Sequence, residues 1–498
     1  MELKLTRDTL RCERLAAAQE EQVSVEGEAT LPGSMRDAVT VLSVQAQAVV
    51  TGVQAGADET GVRGRVCFQV LYTQGDLTRV RALETSCDFE HALRMKGAAP
   101  GMRAEAYVCV QETDGRAASG RMALRALILL RAEAFEPTQH EVVTDAGGEG
   151  GLYKQMQSVS FCMGETLGAE KTLVREEFDL PARLEVGDVL SATGEASVAD
   201  ITGGGGRVGV SGTIEVRVLH RPQENGRPLV TTTHELPYDL TIPAQLPEGA
   251  QVIARAEVID VMADSVAADR RRTLRVEAEV RVTLGLQRMG EAMLLDDLYT
   301  LHGEELVPVR EEVCMQTCRR RVQARESLRL QAALPQDAPP IGLVLAGFAQ
   351  PTLLSLTPDG RRLDAEGLMR ITLIYLPADS DVPVSVHVRE PFAVTFPVEA
   401  EGDGVWGMLQ AADCTIGAAT SDRAEIRCVL CLDAVQHGAR CVSAVTDVEK
   451  RPEEKRENGF ILVWPAPGET RWETARRLRV APESLKSAGS SALLAFRR

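Results

Sequence analysis

Long stretches of this chain alternate apolar with polar or small side chains at a period of two. Arg65–Tyr72 (RVCFQVLY), Thr213–His220 (TIEVRVLH) and Leu368–Tyr375 (LMRITLIY) do so, and Thr273–Val282 keeps the alternation over ten positions. Such a period places one set of side chains on each face of a strand, and strands with one apolar face pair into antiparallel sheets lying on a core. The predicted class is therefore mainly β. Leu15-Ala16-Ala17-Ala18-Gln19-Glu20-Glu21 is the exception: its residues favour a helix by propensity, but it sits where the repeat described next would place a strand.

The pattern recurs. A Leu-Pro pair, a glycine and a bulky strand end appear as Leu31-Pro32, Gly64 and Tyr72; as Leu180-Pro181, Gly212 and His220; and as Leu334-Pro335, Gly367 and Tyr375. The glycine precedes the strand end by 8 positions each time, in copies 148 and 155 residues apart. A fourth landmark closes each copy: Val143-Thr144-Asp145, Leu295-Asp296-Asp297 and Val445-Thr446-Asp447. A period this long is that of repeated domains, since solenoid repeats are much shorter. The reading is three tandem β-rich domains, at residues 1–140, 152–290 and 300–447. Asp145–Gly151 is a glycine-rich connector, and Glu449–Gly459 a charged tether that should be exposed and mobile.

A different module follows at 460–498. Phe460–Trp464 reads as a strand and Pro467-Gly468-Glu469-Thr470 as a turn. Thr470 with Glu473 forms a capping box, and Trp472, Ala475 and Leu478 share one helical face expected to build a small core. A second short helix should start near Pro482 and turn Leu485 inward, and Leu493–Phe496 would close the sheet. The predicted tail is thus a small α/β module of order βααβ.

Each copy, at about 130 residues, can bury its own core. With aromatics at only 4% of the 498 residues, those cores must be built from Val, Leu, Ala and Ile. A net charge of −17 disfavours nucleic acid and anionic membrane as general partners. No stretch approaches the ~18 uninterrupted apolar residues of a membrane span. The acidic and basic Met1–Asp8 leads into no apolar run, so no secretory signal is readable and the expected setting is the cytosol. There most of the eleven cysteines should be free thiols, with no disulfide framework.

Chemistry finds few candidates. Gly203–Gly206 leads to Arg207-Val208 rather than Lys-Ser/Thr, so it reads as a hairpin tip and not a phosphate loop. Cys428 and Cys431 have metal-like spacing, but on a strand positions i and i+3 face opposite sides; Cys314 and Cys318 lack a second ligand pair. The seven histidines hold no constant offset to a serine or cysteine. Arg270–Arg272 and Arg319–Arg321 read as solvated strand or hairpin edges. No catalytic, cofactor or metal residue is nominated.

The tail's Pro467-Gly468-Glu469-Thr470, Trp472, Ala475, Leu478, Val480 and Leu485 resemble a LysM domain. Val25–Pro32, Asp37, Val41-Leu42 and Gly64–Tyr72 resemble the SPOCS domain of endospore-forming Firmicutes. Tandem SPOCS domains before a LysM domain is the layout of SipL-like spore-coat morphogenetic proteins. The resemblance implies a non-catalytic mother-cell protein at the forespore surface, whose tail contacts the ATPase that polymerises into the coat's basement layer. Gly468, Glu469, Thr470, Arg471, Trp472 and Arg476 are then the candidate partner-binding residues. The chain departs from the LysM pattern at Lys486–Ser491, a short loop lacking the usual asparagine and Pro-Gly, which argues against glycan binding. A peptidoglycan anchor acting through the tail is the alternative reading.

Overall fold

The computed structural model describes every residue except 1–2, 33–37, 149–150, 182–183, 224–228, 248–249, 269–270, 399–403, 453–458, 488–492 and 498. Asp37, Arg270, most of the tether and most of the short tail loop therefore lie outside the described residues. The chain is nearly all β, in seven three-stranded antiparallel sheets among the described residues.

Eighteen strands precede the tail, and they fall into three groups of six. The first comprises β1 (Lys4–Thr30), β2 (Val39–Ala55), β3 (Glu59–Gln74), β4 (Asp76–Arg94), β5 (Arg103–Ala118) and β6 (Arg121–Gly147). The second holds β7 (Leu152–Phe178), β8 (Val186–Gly204), β9 (Arg207–Pro222), β10 (Val230–Pro243), β11 (Gln251–Ala268) and β12 (Arg271–Thr300). The third holds β13 (Glu305–Ala333), β14 (Ile341–Asp359), β15 (Arg362–Pro377), β16 (Val384–Phe396), β17 (Gly404–Thr420) and β18 (Arg423–Arg451). In every group the last strand lies between the first and fifth, and the third between the second and fourth. The inner faces of the two sheets pack together in each group, as with Val25, Phe68, Phe89 and Ile128 in the first.

Each recurring glycine has a local cause. Gly64, Gly212 and Gly367 lie on the third strand of their groups and pair directly with Phe89, Tyr238 and Phe392 on the fourth. The aromatic rings lie across the glycines: a methyl at Gly212 would stand 2.5 Å from Tyr238 Oη, and one at Gly367 2.5 Å from Phe392 Cζ. At Gly64 it would also meet the Val49 carbonyl oxygen at 2.5 Å. Only hydrogen leaves room for the ring.

The fourth landmark is a β-bulge. The ladder skips one residue between Val143 and Asp145, between Leu295 and Asp297, and between Val445 and Asp447. The extra residues, Thr144, Asp296 and Thr446, bend the long strands. Past those bends the three groups share cores. Leu10 and Cys12, Val159 and Phe161, and Val313 and Met315 form one cluster with Val142, Leu294 and Val442. Val143, Leu295 and Val445 join a second.

Leu15–Glu21 is not a helix but lies within β1, paired along β6 from Phe135 to Leu130 with a bulge at Ala16. Weak helix propensity yields there to a ladder running the length of the strand. Of the cysteines, Cys314 and Cys441 face each other across β13 and β18 and are disulfide-bonded, while the other nine form no disulfide, so most are thiols, as expected. Neither strand pattern revealed that facing, because register is set over more than a hundred intervening residues.

The tail holds β19 (Gly459–Val463), α1 (Arg471–Leu478), a 3₁₀ turn at Pro482–Ser484, β20 (Lys486–Ser487) and β21 (Leu493–Arg497), with β21 central in its sheet. The second helix expected near Pro482 is only that single turn. No helix among the described residues is long and apolar enough to cross a membrane.

Candidate interaction site at the junction of tail and second group

The tail is fastened to the body through its helix. Thr470 caps α1: its side chain accepts from the Glu473 amide, and the Glu473 carboxylate accepts in return from the Thr470 amide at 2.6 Å. Those two bonds satisfy donors the first turn leaves open, and the Thr470 amide bond, the larger cause, holds the Glu473 carboxyl below its ordinary range. The helix turns Ala475 and Leu478 inward against Ile461, Val463, Leu485 and Ala495. Trp472, expected in this same core, lies at its edge and reaches the body. Its Nε1–H donates to Asp297 Oδ2 at 2.7 Å, and its ring meets Tyr299 edge-on at 5.1 Å.

Arg476 adds a second contact, with its guanidinium 2.9 Å from each Asp297 oxygen. Arg479 ends the helix in the left-handed region, at φ 52°. That conformation is costly for a residue with a side chain. It is offset by the guanidinium, which donates to the Thr300 carbonyl at 2.8 Å, Thr300 Oγ1 at 2.7 Å, and the Gly303 and Glu304 carbonyls at 3.0 and 3.1 Å. Tyr299 completes the joint: its hydroxyl donates to the Val480 carbonyl at 2.7 Å, and its ring stacks on Tyr153. Burial, its largest cause, pushes the Tyr299 phenol far above its usual range.

The three aspartates after the bulges thus have three different partners. Asp447 of the third group meets Arg7 of the first at 2.6 Å, and Asp145 of the first meets Lys154 of the second. Asp297 is taken by the tail, and its neighbour Asp296 approaches Arg310 of the third group at 3.6 Å instead.

The six candidate partner-binding residues divide accordingly. Trp472 and Arg476 are held by Asp297. Arg471 donates to the carbonyls of Pro482 and Leu485 at 2.8 and 2.6 Å. Glu469 pairs with Arg477 at 2.9 Å and accepts from the Ala466 amide, Thr470 is the cap, and Gly468 takes φ 85° in the turn. Gly468, Glu469 and Arg476 line a cleft of about 750 Å³, whose far wall is Tyr299, Thr300, Glu305 and Leu306. Asp297, Tyr299 and Arg479 were not singled out as site residues in the sequence. The aspartate stood in a recurring landmark, but nothing marked it as differing from its two equivalents.

The densest set of ionisable groups lies between the first and third groups. Arg103 bonds Glu13 at 2.8 Å, and Arg319 bonds Glu105 and the Tyr107 hydroxyl. His437 lies 3.1 Å from the fully buried Glu133, which also takes Arg131 at 2.9 Å. Burial drives the Glu133 carboxyl upward, but His437, Arg131 and Arg319 together outweigh it and bring it to about 2. Neither the cleft beneath the tail nor the smaller one of about 170 Å³ beside Trp406 is lined by Glu133 or His437. The cluster ties the first group to the third through Arg319–Glu105 and His437–Glu133.

Residues 37–116, covering β2 to β4 and most of β5, match the family model described as SipL, SPOCS domain. The match relates this segment to SipL-type, sporulation-related proteins. No curated protein and no solved structure matches the chain.

Proposed function

We propose that the chain is a non-catalytic assembly adaptor of the spore envelope, with its three six-stranded groups as copies of one SPOCS-like domain and its tail as a divergent LysM-like docking module. The observation that carries the reading is the SPOCS match on the first group, taken with the strand order that recurs in all three. If the matched segment is a SPOCS domain, the same order and the same glycine–aromatic pairing make the second and third groups its copies.

In this reading the body is a rigid block, closed by shared cores and by ion pairs between neighbouring groups. The tail, fastened at Asp297, presents a partner-facing surface from a fixed position. The partner is a polymerising ATPase of the coat's basement layer, and the chain acts in the mother cell at the forespore surface. Gly468 and Glu469 line the cleft, and Thr470 and Arg471 are exposed next to them in the chain.

Co-purification from sporulating cells tests the partner. The full chain should retain the ATPase and a chain ending at residue 459 should not. Sedimentation with purified peptidoglycan separates the alternative: tight, tail-dependent binding there would make the tail a wall anchor and defeat the adaptor reading.

A further inference from the structure

The helix side of the tail faces the body, so the opposite side of its sheet faces away. On β19 the side chains alternate: Ile461 and Val463 pack inward, while Phe460 and Leu462 are 79% and 50% exposed, and Trp464 continues the outward series at 63%. The ladder sets Leu494 opposite Leu462 on one side and Lys486 on the other. Residues directly opposite in a ladder share a face. One sheet face thus carries an apolar stripe from both strands with a lysine at its margin. Isolated exposed apolar residues are ordinary, but a contiguous aromatic-rich set marks a contact surface.

We propose that this outer face docks a segment of another protein that is apolar along one side and acidic at its margin. The inference rests on the adaptor reading and moves its main contact from the helix to the sheet. Charge selects the partner. Residues 460–498 hold seven basic and three acidic side chains, a net +4 that leaves −21 on the remaining 459 residues. An acidic segment is repelled by the body and attracted only at the tail. The same body would be repelled by an anionic lipid surface, and two such tails face to face would repel each other.

The full-length chain should be titrated into a dye-labelled peptide alternating Leu and Glu, beside peptides with Ser for Leu and with Lys for Glu, reading anisotropy. The Leu–Glu peptide should bind at least about tenfold more tightly than either control. Leu462→Ser with Trp464→Ser should remove that advantage, while Lys486→Glu should shift preference toward the Leu–Lys peptide. Edge contact between Tyr299 and Trp472, followed by Trp472 emission, reports that the variants keep the tail docked. Equal binding of all three peptides, or an unchanged affinity in the double variant, would overturn the proposal. So would preferential binding to phosphatidylglycerol vesicles, or self-association that the double variant abolishes, since these assign the face to membrane or to a second copy. If deleting 460–498 abolishes localisation while the double variant binds like wild type, the surface fails and the adaptor reading stands. If the deletion leaves localisation intact, the adaptor reading itself fails.

Discussion

His220 occupies the strand end that Tyr72 and Tyr375 hold in the other groups, and it is fully buried. Burial, the dominant cause, holds the pKa of His220 below its usual value and does the same to His234, whose Nε2 lies 2.9 Å from Thr232 Oγ1. Below the ordinary histidine pKa of about 6.5, the unfolded chain takes up protons that the folded chain refuses. Stability from these groups is therefore complete above that value and lost as pH falls. Denaturant unfolding should show a loss as pH falls from about 6.5 to 5.5 that His220→Tyr reduces; an equal loss in the variant would show that this histidine is not responsible. The glycines give a second residue-scale prediction. Gly212→Ala would push a methyl into Tyr238 and the Ser197 carbonyl, costing about 1–3 kcal/mol, whereas a substitution at the open hairpin glycine Gly204 meets no atom. The thiols give a third: burial pushes Cys109 and Cys431 up to about 11, so these two should alkylate slowly in native protein. Mass spectrometry after denaturation should find nine free cysteines and one bridge; a spread of several bridges would contradict the structure.

At the scale of elements, the strands were legible because burial and periodicity coincide. β9 buries every second residue from Val208 to Val218, as its alternation requires. What periodicity left hidden was register: the bulges, the Cys314–Cys441 facing and the strand at Leu15–Glu21 depend on partners far along the chain. The tail shows the same division. Its capping box and its inward Ala475 and Leu478 follow from local spacing, but the destination of Trp472 depends on Asp297, more than a hundred residues away. Leu478 is buried in a small core, so Leu478→Ala should cost roughly 2–5 kcal/mol and unfold much of the tail. Asp297→Ala should act differently, releasing the tail from the body without unfolding it. A loss of ~1.4 kcal/mol there would speed hydrogen exchange at the tail's docked face about tenfold. Unchanged protection of Val480 and its neighbours would show that Asp297 does not hold the joint.

Across the whole molecule, the three groups are closed into one block by cores that draw side chains from each. Pairs of opposite charge run from the third group to the first, the first to the second and the second to the third. Exposed pairs such as Arg7–Asp447 contribute little energy, so their part is to favour one neighbour over another while the apolar clusters supply cohesion. Recurrence of the landmarks was visible in the sequence, but not this closure, since each landmark carries no information about which surface meets which. The result is a body closed on itself, with one basic module fastened to it at Asp297 and Thr300. The most direct test is the position of a fluorescent fusion in sporulating cells, comparing the full chain with one ending at residue 459. The full chain should gather at the forespore surface, and the truncated chain, equally stable, should stay dispersed in the mother cell. An undiminished forespore signal from the truncated chain would contradict it.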